Sequence, residues 1–245
     1  LGLSDAETDL TTQIQGAGLT LSIEAQAQPA EVKAGQQVRV SGLVKLKTGS
    51  GQGLPVASAR VKAVSLQSLE RSAELVCDAN GTFVLDLTHD PLALGSDANG
   101  PRSPDLDLSV ALLALHPASD ALQADKLVKV PGELSSQLIQ AVFDDDGSNA
   151  LAGTVVVTQP NRQIRLTFQT LSAGVPVRNA SVQVSVNGSA RVTQATARTG
   201  DADSRGLSGV TVLAGPAGSG VSLVALVTTL ANGRTVAARA DLQGP

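Results

Sequence analysis

Short runs in which apolar and polar side chains alternate recur along the whole chain. Examples are Gln37-Val38-Arg39-Val40, Arg60-Val61-Lys62-Ala63-Val64 and Ser181-Val182-Gln183-Val184. A period of two is the signature of a strand with one face turned to a core. It predicts strands near residues 19–28, 36–46, 56–66, 72–77, 82–88, 106–115 and 123–131, and a second set from about 153 to 241. Between them lie Thr48–Gly53, Asp78-Ala79-Asn80-Gly81, Gly95–Gly100 and Asn187-Gly188, residues that accept positive φ or bond their own backbone in the turns of antiparallel sheets. About seven such strands per set favour a β-sandwich.

The two sets are copies of one another. Gly53-Leu54-Pro55-Val56, continuing through Ala59 and Val61, corresponds to Gly174-Val175-Pro176-Val177, continuing through Ala180 and Val182. Gln37–Val40 corresponds to Gln163–Leu166, Gln28-Pro29 to Gln159-Pro160, and Asp78–Gly81 to Asp203–Gly206. Further along, Leu108–Val110 is matched with Val221–Leu223, and Lys126–Val128 with Arg234–Val236. A further match precedes the strands: Leu10-Thr11-Thr12-Gln13-Ile14-Gln15 aligns with Leu134-Ser135-Ser136-Gln137-Leu138-Ile139-Gln140 if one residue is inserted.

Each copy is therefore expected to carry a leader. Ser4-Asp5-Ala6-Glu7 has the form of a helix capping box, and Leu134, Leu138, Val142 and Phe143 stand near helical spacing. The β-branched Thr11, Thr12 and Ile14 suit a strand equally well. Two short helices are the expectation adopted. Leu10 and Ile14 are the candidate assembly contacts.

Gln28-Pro29-Ala30-Glu31-Val32-Lys33-Ala34-Gly35, running on to Gly42, resembles the opening of many bacterial Ig-like domains. The strand from Gly53 to Val61, followed by Asp78-Ala79-Asn80-Gly81-Thr82-Phe83, is similar to bacterial Ig-like and carboxypeptidase-regulatory-like modules of surface proteins. The resemblance implies an all-β chain of two tandem immunoglobulin-like antiparallel sandwiches. The expected division is a leader over 1–18, domain one over 19–132, a leader-like linker over 133–152 and domain two over 153–245. Such modules serve as stalks, spacers, fibre subunits and adhesin segments, so the resemblance leaves activity open.

Composition narrows the choice. Charged residues make up 16% of the chain and the net charge is −4, which offers no basic field for nucleic acid. With three Phe and no Trp, Tyr or Met, the core must be aliphatic, and the aromatic platforms of many sugar-binding modules are missing. No run of about 18 apolar residues is long enough to span a bilayer. The single Cys77 cannot form an internal disulfide and is expected in the core. His89 and His116 are expected as solvated loop residues, and no nucleophile, phosphate or zinc motif occurs.

One stretch has the chemistry of a cation site. Asp144-Asp145-Asp146-Gly147-Ser148-Asn149 gathers the oxygens that Ca²⁺ prefers. The EF-hand register fails, because Val142 would fill the first loop position and Gly153 the twelfth. Asp144, Asp145 and Asp146 are the calcium candidates, against the plainer reading of a polar turn. The expected role is a non-enzymatic structural subunit of an extracellular filament or surface layer, placed outside the cell or at its surface, with no cofactor beyond calcium at that stretch. Its expected partner is itself, assembled head to tail through the N-terminal segment. An adhesin stalk or binding module and a virion accessory protein are the alternatives.

Overall fold

The computed structural model describes residues 18–49, 51, 53–66, 72–89, 107–200 and 205–244. These residues are all-β, without a helix, and their contacts divide the chain into two compact units, with the boundary along the chain falling between Gly132 and Glu133.

Unit one holds β1 (Leu19–Gln28), β2 (Gln37–Thr48), β3 (Leu54–Pro55), β4 (Arg60–Ser65), β5 (Ser72–Val76), β6 (Thr82–Thr88), β7 (Leu108–His116) and β8 (Ser119–Val130). In one sheet β2 lies between β1 and β6, with β3 extending the β6 side; the other runs β5-β4-β7-β8. Alternation decides which residues meet: Val38, Val40 and Val44 of β2 and Leu108, Val110, Leu112 and Ala114 of β7 all point into one core. Each Val or Leu so buried contributes roughly 1.5–3 kcal/mol, and aliphatic residues with few aromatics suffice for a core of this kind. Cys77 is buried in it, as its composition suggested.

Unit two holds β9 (Leu134–Phe143), β10 (Leu151–Ala152), β11 (Val155–Val157), β12 (Gln163–Ser172), β13 (Val175–Pro176), β14 (Ser181–Asn187), β15 (Arg191–Ala195), β16 (Leu207–Leu213), β17 (Val221–Thr229) and β18 (Thr235–Gln243). One sheet is ordered β9-β12-β16-β15, with β13 at the end of β12; the other is β10-β11-β18-β17-β14. Here β11 runs parallel to β18. In unit one the same closure survives as a single parallel bridge from Val32 to Gly132.

The duplication is visible atom by atom. The Val44 amide donates to Gly81 O at 2.9 Å and the Val56 amide to Val44 O at 2.9 Å. In unit two the Thr170 amide donates to Gly206 O at 3.1 Å and the Val177 amide to Thr170 O at 3.0 Å. Both glycines have positive φ and sit where no Cβ fits: it would lie 2.8 Å from Val44 O at Gly81 and 2.5 Å from Thr170 O at Gly206.

Four expectations are corrected. Residues 134–143 form a strand, not a helix, and that strand belongs to the sheet of unit two, not to a linker. Its topological counterpart in unit one is β1, since each is the antiparallel outer partner of the second long strand. The match of Leu108 with Val221 is one residue out of register: buried Leu108, Val110, Leu112 and Ala114 correspond to buried Ser222, Val224, Leu226 and Thr228. A slip of one residue exchanges the faces of a strand. The match of Val128 with Val236 fails likewise, because Val128 pairs with Val110 whereas the partner of Val224 is Ala240. Beyond these expectations the copies differ at one edge strand: β5 pairs with β4 while β15, the strand at the same place in the order, pairs with β16, so it lies on opposite sheets.

Candidate functional site

The acidic stretch is the tip of the connection leaving β9. Phe143 ends the strand, its amide donating to Ser148 O and its carbonyl accepting from the Gly147 amide, each at 2.9 Å. Gly147 supplies the positive φ that reverses the chain. Asp146 Oδ1 accepts from the Ser148 amide at 2.8 Å and from Ser148 Oγ at 2.6 Å, while Asn149 Oδ1 accepts from the Leu151 amide at 3.0 Å. These local bonds are what make Asp, Ser and Asn good turn residues.

Two arginines close over this turn. Arg162 Nε donates to Asp145 Oδ2 at 2.9 Å, and its Nη2 reaches Asp145 Oδ1 and Asp146 Oδ2, each at 2.6 Å. Its Nη1 donates to Gln159 Oε1 at 2.8 Å, and the guanidinium stacks 4.0 Å from the centroid of Phe143. Arg165, on β12, pairs with Asp144. The turn is held against the start of β12 by charge-assisted bonds and one aromatic ring. The bonds from Ser148, and after them Arg162, hold the Asp146 carboxyl down at about 2. Hydrogen bonding from Arg162 lowers Asp145, and the two carboxylates raise Arg162 above its ordinary value.

The three predicted calcium ligands are thus brought together, and each is engaged by a guanidinium. Among the described residues no group of three or more His, Cys, Asp and Glu is arranged to hold a metal ion. The arginines were not anticipated, although the sequence carries the signal: three consecutive carboxylates need counter-charges, and the next cations along the chain are Arg162 and Arg165.

The other candidates take structural places. His89 is fully buried rather than solvated; its amide donates to Gln36 O at 2.9 Å and its carbonyl accepts from the Gly35 amide at 2.8 Å. His116 closes the β7–β8 hairpin, Nδ1 accepting from the Ala118 amide at 3.2 Å. Leu10 and Ile14 lie outside the described residues. On the sheet of unit one an open groove of about 450 Å³ is lined by Glu24, Ser41, Leu43, Thr82 and Val84 among others, and Glu24, the one charged residue of its lining among the described residues, is paired with Lys45 at 2.8 Å. No described helix is long and apolar enough to cross a membrane.

No known protein family and no curated protein matches the chain. Similar solved structures exist at low scores. Invasin, a bacterial integrin-binding protein, shares 13% identity over 89% of this chain and 39% of its own length, with a TM-score of 0.32. The Escherichia coli adhesin FdeC shares 17% over 91% of this chain and 64% of its own, at 0.35. Red sea bream transglutaminase shares 15% over all of this chain and 34% of its own, at 0.35. The chain spans well under two thirds of invasin and slightly under two thirds of FdeC. The D0-D1 domain of intimin and the Yersinia pseudotuberculosis adhesin InvE are also among the similar structures, each at 16% identity. The strand order given above, rather than any of these likenesses, carries the architecture.

Proposed function

We propose that this chain is a non-enzymatic structural module of an extracellular or cell-surface assembly, and that copies associate head to tail through the N-terminal segment. The observation that supports this reading is the similarity of Leu10–Gln15 to Leu134–Gln140, because the second segment is an edge strand that pairs with β12 alone among the described residues. A chain that carries a spare version of its own edge strand has the means to complete a sheet in another copy. Contacts of that kind are heterologous and build open fibres unless the rotation closes. The charged groups support a structural role: Arg39–Asp86 and Lys45–Glu24 are pairs across neighbouring strands, Arg60 of β4 pairs with Asp120 of β8 across the intervening β7, and Arg162 and Arg165 are taken up by the acidic turn. Calcium enters this reading only as a competitor of those two arginines for Asp144, Asp145 and Asp146.

The duplicated glycine bridges at Gly81 and Gly206 favour a second reading, a spacer cut from the stalk of an adhesin. Negative-stain microscopy over a concentration series, with and without Ca²⁺, separates the two. Regular fibres that disappear on deletion of residues 1–18 are expected. Fibres that survive the deletion would sink the N-terminal route, and single particles at every concentration would favour the spacer.

A further inference from the structure

We propose that the outer edge of β8 is a contact between two copies of this chain, in which the strand pairs antiparallel with itself across a two-fold axis at Leu127. This contact does not involve residues 1–18 and goes beyond the assembly reading above. The two units treat the strand differently. In unit two β18 has β17 on one side and β11 on the other, with Val155, Val156 and Val157 facing Asp241, Leu242 and Gln243. In unit one β8 pairs with β7 alone among the described residues, and the cover that β11 provides is reduced to the bridge at Gly132, beyond the end of the strand.

Two hydrogen bonds fix which backbone groups are left open. Ser109 O accepts from the Leu66 amide at 2.9 Å, so Ser109 turns its polar groups towards β4, and its ladder partner Lys129 turns its own away from β7. Pro131, two residues on, agrees: its carbonyl accepts from the Val32 amide at 2.9 Å on that outer side. By the same alternation the N–H and C=O groups of Asp125 and Leu127 point outwards. An open row of this kind is a template for another strand.

The side chains of these residues select which strand fits. Asp125, Leu127 and Lys129 lie on the solvent face of the sheet, Leu127 is 47% exposed, and neither Asp125 nor Lys129 is ion-paired among the described residues. When a second β8 lies antiparallel with Leu127 opposite its own copy, Asp125 meets Lys129 on both sides of the axis. All of these are positions that exchange backbone hydrogen bonds, and opposite charges face each other twice. Moving the axis to Asp125 would oppose two carboxylates, and moving it to Lys129 two ammonium groups. Leu127 also ends a row of the sheet in which Ala111 of β7 and Val64 of β4 are half-buried. The same register joins two such rows end to end and takes both leucines out of water. Lys126, on the opposite face, would stand across from Val128, its long stem carrying the ammonium out to solvent. The contact is isologous and closes at two copies.

Charge reversal and cross-linking of the full chain test the register. Sedimentation velocity over a concentration series should show dimers that Asp125→Lys weakens by about tenfold or more, that Lys129→Asp weakens alike, and that the double variant Asp125→Lys/Lys129→Asp recovers, because both pairs are then opposite in charge again. The recovery separates lost pairing from a lost fold. In a Cys77→Ala background, Leu127→Cys should close an intermolecular disulfide about tenfold faster than Gln123→Cys, an exposed position on the same strand that the axis holds away from its own copy. Oligomers insensitive to both reversals would overturn the β8 contact and leave assembly through the N-terminal segment standing. Dimers that follow the charges, without fibres, would keep the contact and count against that segment. Monomers at every concentration, with equal cross-linking at 123 and 127, would overturn the pairing of β8 with itself.

Discussion

Phe83 lies directly across from Gly42 on the β2–β6 pair, and a Cβ on Gly42 would come within 2.4 Å of its ring. Unit two keeps this row of the sheet but exchanges its members. Phe168 of β12 stands in the place of Gly42, and Ser208 of β16 in the place of Phe83. Each row therefore holds one ring beside one small residue, an exchange that conserves volume while the sequence at both positions changes.

Gly42→Ala should accordingly destabilise the protein by roughly 1–3 kcal/mol, because the methyl group meets both the ring and the Glu24 carbonyl oxygen. Urea unfolding checks this, and Phe83→Leu in the Gly42→Ala background should recover part of the loss. Ser208 gives the opposite sign. Its Oγ is buried with no hydrogen-bond partner among the described residues, so Ser208→Ala should stabilise by about 1 kcal/mol.

The turn glycine Gly147 and the bridging glycine Gly206 permit a cleaner separation of causes. Gly147 and Gly206 have nearly equal φ, +69° and +70°, but a Cβ at Gly147 meets nothing within 4 Å. Gly147→Ala should cost only the left-handed backbone penalty, about 1–2 kcal/mol. Gly206→Ala adds the clash with Thr170 O and should cost more. Thermal melts of both variants give the difference, and equal losses would refute the close-approach argument.

Much of this fold was legible because alternation and turn residues speak locally. The strands from Gln37, Arg60 and Thr82 and the turn at Asp78–Gly81 are all where the pattern places them. Leu134, Leu138 and Val142 misled because a spacing of four satisfies a helix and is also twice the strand period. The choice of sheet by β5 and β15 depends on which neighbour each edge finds, and no residue in either strand announces it. The Arg162 clamp was missed for a related reason: Asp145 and Arg162 are 17 residues apart in sequence and meet only because β9 and β12 are partners.

Acid should loosen the clamped turn in a definable window. The Asp146 carboxyl titrates near 2 in the folded protein against an ordinary value of 3.8, so its contribution is complete above the ordinary value and is lost as pH falls towards 2. Carboxyl chemical shifts followed by NMR should show Ser148→Ala raising the Asp146 midpoint further than Arg162→Lys, because the Ser148 hydroxyl is the largest cause of the shift. The reverse order would assign the lowering to Arg162.

Cys77 provides a reporter for unit one alone. It is the only cysteine of the chain, it is buried, and burial, assisted by the nearby Asp78 charge, raises its thiol above the ordinary value. Little thiolate is present near neutral pH, and labelling needs both opening and deprotonation. Labelling by a thiol-reactive dye should stay slow until unit one unfolds, and Gly81→Ala should accelerate it while Gly206→Ala leaves it unchanged. Acceleration by Gly206→Ala would mean that the two units do not unfold independently.

The exposed Ile139 has no partner where β9 pairs with β12, which makes it a β-bulge, and its deletion tests what that bulge does. Without it Leu138 and Gln140 become neighbours, and their partners Phe168 and Thr167 are already neighbours, so the two strands would pair in continuous register with every other side chain on its present face. The deletion should raise the melting temperature of the protein, since it removes an exposed isoleucine and restores the ladder. Differential scanning calorimetry reads the effect. A lower melting temperature would show that the bulge serves the fold of unit two, for instance by aiming Ala141 and Phe143 into its core.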